Sequence, residues 1–417
     1  MVNRAILIFA GVFIATAMVI TQTNAPNTAL PSDALTRLAE QLERGDVTLE
    51  YRDGVGYLPS LLEHLDVNVD SQTLVFSKTS FQQAIINPKN PRALYFNDQV
   101  SVGVVPGGDV YELLALEPSH GMVFYTLSAE RTDGPQLRRR GTECFFCHAM
   151  GNRGAPSLVV ASVIPDAAGV PAYVSTFIGT IDHREPFEQR WGGWYVTGTH
   201  GSQKHRGNAV ASDPFRPLDL EETGTQNLTT LAGKVDTSKY LADTSDIVAL
   251  MTLEHQVGAA NRMNSITFQY NRLRRDGMND ADWMQIDGEI DDLTGYMLFV
   301  DEARLAAPVK GTSTFTKTFT ERGPRDSRGR SLRDFDLQTR LFRYPLSYMI
   351  YSDLFDGLPT PIRDRVYRRL YQVIIGTERG EKYAVLSRSD CQAILEIVIG
   401  TKSNLPRYWE SNDGPIG

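Results

Sequence analysis

The sequence predicts an α+β protein, with an antiparallel β meander and hairpins in its first half and a mainly α-helical C-terminal region. Two observations carry this. Between residues 93 and 130, short β-prone runs (ALYFND, VSVGVVPGG, VYELLALEP, GMVFYTLSAE) alternate with turn signals at Asn97-Asp98, Pro106-Gly107-Gly108 and Pro118-Ser119-His120-Gly121. From about residue 240 the hydrophobic spacing turns helical, with the longest candidate running from Asp246 to about Leu273.

Taken in order, the chain opens with Asn3 and Arg4, then an uncharged apolar run from Ala5 to Ile20, with no further charge before Asp33. This reads as an export signal or an uncleaved anchor. Sixteen residues at about 1.5 Å each reach roughly 24 Å, short of a ~30 Å hydrocarbon core, although Thr21 to Asn24 would nearly close the gap. Thr23-Asn24-Ala25 suits a signal peptidase, but Pro26 follows directly, so cleavage and anchoring both stay open. A helix is expected at about 34–43, capped by Ser32 or Asp33, and a short one near 58–65. A further hairpin is expected at 157–180 around Asp166-Ala167-Ala168-Gly169. Helices are expected near 286–304, 333–356, 361–375 and 390–399. The last has Ser389 and Gln392 in capping-box spacing and Gly400 at its end. The Gly/Thr/Ser-rich stretch 222–245 suggests a division into 1–25 (signal or anchor), 26–235 and 236–417.

The 417 residues carry 42 Lys and Arg against 50 Asp and Glu, a formal charge of −8, which sets nucleic acid aside as a partner. Three cysteines are too few for a disulfide framework. Two of them form Cys144-Phe145-Phe146-Cys147-His148, the attachment pattern of c-type haem. Each thiol can add across one haem vinyl group, one helical turn can present both sulfurs to the same porphyrin edge, and the next residue can bring its imidazole to the iron. At this composition, on the order of 0.0004 chance matches to the pattern are expected, so coincidence does not explain it. A thioredoxin-like disulfide would want a βαβ setting, and structural zinc a second cysteine pair. Cys391 shares a helical face with Ile394, Leu395 and Val398 and reads as a buried apolar thiol.

The motif resembles that of c-type cytochromes, a likeness of five residues. The remainder departs from the small all-helical members. It is similar to large exported monohaem proteins of unassigned role, through Ala93-Leu94-Tyr95-Phe96-Asn97-Asp98, the run from Trp191-Gly192-Gly193-Trp194 to His200-Gly201, and Arg340-Leu341-Phe342-Arg343-Tyr344-Pro345. The resemblance implies one covalent haem c, its iron bound by His148, in a periplasmic or otherwise exported protein. Such a chain would act in electron transfer with a redox partner protein or small redox molecule, and its N-terminal segment could attach it to the inner membrane. The alternative is a haem-dependent peroxidase-like or other small-molecule oxidoreductase with an open sixth iron position. The second axial ligand separates these. His200, in a Gly- and aromatic-rich loop, is the first candidate, followed by His205. His255 reads as a core residue on the long helix, His183 as part of a local charge network, and Met122 as core packing. Arg138-Arg139-Arg140 and Arg153 flank the motif and could meet haem propionates or an acidic partner.

Overall fold

The computed structural model describes residues 32–141, 144, 148, 154–171, 180–213, 216–220, 223–275, 277–378 and 380–410. The export segment lies outside them. Residues Ser32–Gly417 form one compact unit. Sheet and helices share a core.

The meander forms as expected. Seven strands make one antiparallel sheet: β1 (Thr73–Val75), β2 (Arg92–Phe96), β3 (Val100–Val104), β4 (Val110–Glu117), β5 (Gly121–Ser128), β6 (Leu137–Arg139) and β7 (Trp194–Tyr195), in the order β6-β5-β4-β3-β2-β1-β7. The three predicted turns fall between β2 and β3, β3 and β4, and β4 and β5. In the first, Asn97 Oδ1 accepts the amides of Gln99 and Val100. Alternate residues serve two cores. Tyr95, Leu113, Val123, Tyr125 and Leu127 face one core with Leu35, Leu38, Leu58 and Leu61. Phe96, Leu114, Leu116, Met122 and Phe124 face the other, with the helical region. Helix α1 (Ala34–Arg44) is capped by Asp33, which also accepts the Tyr125 hydroxyl and so ties helix to sheet. Helix α2 (Leu58–His64) follows. Short strands β8 (Gly198–Thr199) and β11 (Lys310–Gly311) pair with each other, as do β9 (Ala211–Asp213) and β10 (Arg216–Leu220).

The long helix α3 (Ile247–Leu273) is buried on nearly every side, as its mixed apolar faces require. Gly258 on it lets the Tyr296 hydroxyl lie where a Cβ would stand, 2.0 Å away. Asp246 caps it by accepting from Val248 and Ala249 with one carboxylate oxygen, and holds Thr312 and Ser313 with the other. We expect Asp246→Ala to cost about 2 kcal/mol in urea unfolding, a cap plus charge-assisted bonds lost together. A cost near zero would show that water replaces them.

Helix α4 runs over Asp280–Met297, six residues earlier than expected at its start, because Asn279 and Asp282 form a capping box. It ends where Phe299 takes a positive φ of 53°. Helices α5 (Phe315–Glu321), α6 (Asp353–Asp356), α7 (Thr360–Ile375) and α8 (Arg388–Thr401) complete the layer. Two expectations need correction. Residues 333–356 are not one helix: Asp336 Oδ1 takes the amides of Gln338, Thr339 and Arg340 in a local turn that competes with helix, and only a short 3₁₀ turn and α6 follow. Helix α8 is capped by Ser387 rather than Ser389 and continues through Gly400. The expected 157–180 hairpin shows only the isolated bridges Ala161–Thr180 and Pro165–Pro171, and residues 172–179 lie outside the described ones. Among the described residues, no helix is long and apolar enough to cross a membrane.

Candidate haem-attachment site

Cys144 and His148 both have helical backbone and are half-buried, and Cys144 packs against the larger core. Cys147 and Arg153 lie outside the described residues. The His148 ring sits on the Phe124 ring of β5, centroids 4.7 Å apart. Its Nδ1 lies 2.7 Å from the Ser157 carbonyl oxygen. A carbonyl can only accept, so Nδ1 carries the proton, and in the neutral ring the lone pair is on Nε2. Ser157 returns two bonds to the His148 carbonyl, from its amide at 2.6 Å and its hydroxyl at 3.1 Å. Burial holds the imidazole below its ordinary pKa.

Two charged residues also act on His148, and sequence reasoning missed both. Arg92 and Glu112, on β2 and β4, pair at 2.6 Å on the sheet face that carries Phe124. Gly103, on the strand between them, leaves room for the guanidinium, since a Cβ there would stand 2.2 Å from Arg92 Nη2. Arg92 disfavours imidazolium at His148 and Glu112 favours it. The Arg92 Nε is buried with no hydrogen-bond partner. Of the arginines flanking the motif, Arg138 and Arg139 are exposed on the edge strand β6, and the Arg140 amide bonds the Phe124 carbonyl.

The described donors fit a covalent haem. A neutral imidazole, fixed by its far nitrogen, is the usual form of a metal-bound histidine. Cys144 and His148 stand one helical turn apart in sequence. Cys144 with Cys147 would hold the porphyrin edge and His148 the iron. Bound there, a haem would supply one-electron and small-ligand chemistry. Among the described residues, no cluster of three or more His, Cys, Asp or Glu side chains is arranged to hold a metal ion.

His200 offers iron no ring nitrogen. Its Nδ1 donates to the Gln203 carbonyl at 2.7 Å and its Nε2 accepts the Asn227 amide at 3.0 Å, while the side chain is fully buried. Both ring nitrogens of His200 are thus engaged, one within its own loop and one by Asn227. His205 is buried beside Phe187, Trp191 and His200, with both ring nitrogens unbonded. It lies in the same loop.

A second polar cluster is buried along α3. Arg190 and Glu254 pair at 2.5 Å, and the Trp191 indole donates to Glu254 at 3.0 Å. Burial pushes the Glu254 carboxyl up to about 7. His183 and His255 face each other, Nδ1 to Nδ1, at 3.0 Å, and His255 Nε2 lies 2.7 Å from Ser347 Oγ. His255 is thus the satisfied core histidine expected, and His183 is buried beside the Asp182–Arg184 ion pair, its carbonyl accepting from Arg190. Met122 shares Phe124's sheet face, two residues away.

No protein-family profile, curated protein or solved structure matches the chain.

Proposed function

We propose that the chain is an exported c-type cytochrome that holds one haem through Cys144 and Cys147, with His148 on the iron, and passes electrons to or from a redox partner protein or small redox molecule. The observation that carries this reading is the Nδ1–H bond from His148 to Ser157, which leaves Nε2 as the lone-pair nitrogen in the residue that the attachment pattern assigns to iron. Export, periplasmic residence and attachment to the inner membrane rest on the N-terminal sequence alone.

A second reading, a haem-dependent oxidoreductase with an open sixth position, is favoured by the engagement of most of the other histidines. His200 has both ring nitrogens bonded, His255 bonds His183 and Ser347, His120 pairs with Glu117, and His64 lies within 3.4 Å of the Thr48 carbonyl, whereas His205 has neither ring nitrogen bonded. Absorption and magnetic spectra of the ferric protein, with cyanide and carbon monoxide titrations, separate the two. A carrier shows six-coordinate low-spin iron and slow or no ligand uptake. Rapid cyanide binding with peroxide turnover would overturn the carrier reading in favour of the oxidoreductase.

A further inference from the structure

The loop that touches His148 is gripped from outside. Asn261, on α3, forms a two-way clasp with Leu158: the Leu158 amide donates to Asn261 Oδ1 at 2.8 Å, and Asn261 Nδ2 donates to the Leu158 carbonyl at 2.9 Å. One turn on, Asn264 Nδ2 donates to the Pro156 carbonyl at 2.6 Å. Residues three apart share a helix face, so both amides reach the same strip of chain. Between the two gripped residues stands Ser157, whose carbonyl takes the His148 ring proton and whose amide and hydroxyl return to the His148 carbonyl. Leu158 and Pro156 lie in no strand or helix. The side-chain amides of α3 therefore do for this loop what a neighbouring strand does in a sheet, offering two donors and one acceptor. Twenty of the twenty-seven residues of the helix that supplies them are buried.

We infer that Asn261 and Asn264 are positioning residues for the axial histidine: through Pro156–Leu158 they fix the Ser157 carbonyl against His148 Nδ1–H, and so set the basicity of the imidazole and the iron's preference between its oxidation states. This rests on the haem reading above. Hydrogen bonding from the far ring nitrogen raises the basicity of a metal-bound histidine, and partners at that level change metal affinity about 10–100-fold when removed. A more basic imidazole favours ferric iron over ferrous. Loosening the loop weakens the bond and shifts the balance toward ferrous.

The test uses the full exported chain with Asn261→Leu and Asn264→Leu, with Asn261→Gln as a conservative variant that keeps an amide. Each leucine variant is expected to carry haem and to shift the ferrous-to-ferric ratio at a fixed potential about tenfold, a rise of about 59 mV in midpoint for one electron. Asn261→Gln is expected to recover part of that shift. In Cys144→Ser/Cys147→Ser protein, which cannot tether haem, the Leu158 amide is expected to be protected from hydrogen exchange, and to lose protection on Asn261→Leu. Haem-bearing leucine variants at the parent's midpoint would overturn the positioning role and leave the haem reading standing. An unprotected Leu158 amide in the parent background would overturn it too. A parent chain that carries no haem overturns the haem reading, and this inference with it.

Discussion

Replacing Cys144 and Cys147 with serine is expected to abolish covalent haem entirely in the double variant and to leave at most one thioether in each single variant. The physical ground is bond count: two sulfurs, two vinyl groups and no other cysteine nearer than Cys391, which is buried on α8. The contrast with His148→Ala is informative. Losing the imidazole leaves both sulfurs in place, so haem is expected to remain attached while its iron loses the protein ligand and changes spin state. A denaturing gel stained for haem reads the first effect, and the ferric spectrum of folded material reads the second. Haem persisting on the double-serine protein after denaturation would place the attachment elsewhere.

The second large effect is acid sensitivity. Burial holds His183 and His255 well below the ordinary histidine pKa and His205 down to about 3. His200 is lowered too, and protonating its Nε2 would break the bond it accepts from Asn227. The unfolded chain takes up a proton at each of these below about 6.5, and the folded chain does not. Stability from a lowered histidine is therefore present above 6.5 and lost as pH falls. Glu254 and Glu302, both raised to about 7, act the other way: the folded state holds their protons between about 4.5 and 7, so their contribution grows on acidification. Five lowered histidines, His148 included, against two carboxylates leave the unfolded state binding more protons, and stability should fall from pH 6.5 to pH 5. Carboxylates held below their ordinary value, such as Asp390, titrate below this window. Urea midpoints at the two pH values measure the fall, and His205→Gln should make it shallower. Stability flat or rising over that range would mean that the buried histidines are protonated in the fold.

The sheet was readable in the sequence because each turn announced itself locally. Asn97, Gly107 and Gly121 stand at chain reversals that their side-chain chemistry or positive φ requires, and the strands between them alternate between two cores. Helix α3 was readable because twenty-seven residues pass without Pro and begin after a capping aspartate. The stretch 333–356 misled because its hydrophobic spacing is helical while Asp336 satisfies the backbone locally and Phe319, Phe335 and Phe342 pack as rings across the turn.

The attachment pattern at 144–148 stands out in the sequence, but the residues around His148 do not. Ser157 meets the His148 ring through its carbonyl, which any residue could supply, and only its hydroxyl bond to the His148 carbonyl depends on its identity. Arg92 and Glu112 lie 56 and 36 residues before His148 and meet beside it only because β2 and β4 flank a glycine in β3. Asn261 and Asn264 are ordinary helix residues until the loop is seen lying on them. His200 drew attention by its aromatic, glycine-rich loop, and that composition serves a buried turn in which the histidine caps Gln203 and Asn227.

The account stands on one tethered porphyrin. Intact mass of the chain purified from the exported fraction of cells that attach haem tests this directly. It should exceed the mass of the processed polypeptide by one haem, and the excess should survive acid and organic solvent and map to the peptide holding Cys144 and Cys147. A mass equal to the bare polypeptide, or two hydrogens lighter from a Cys144–Cys147 disulfide, would contradict it.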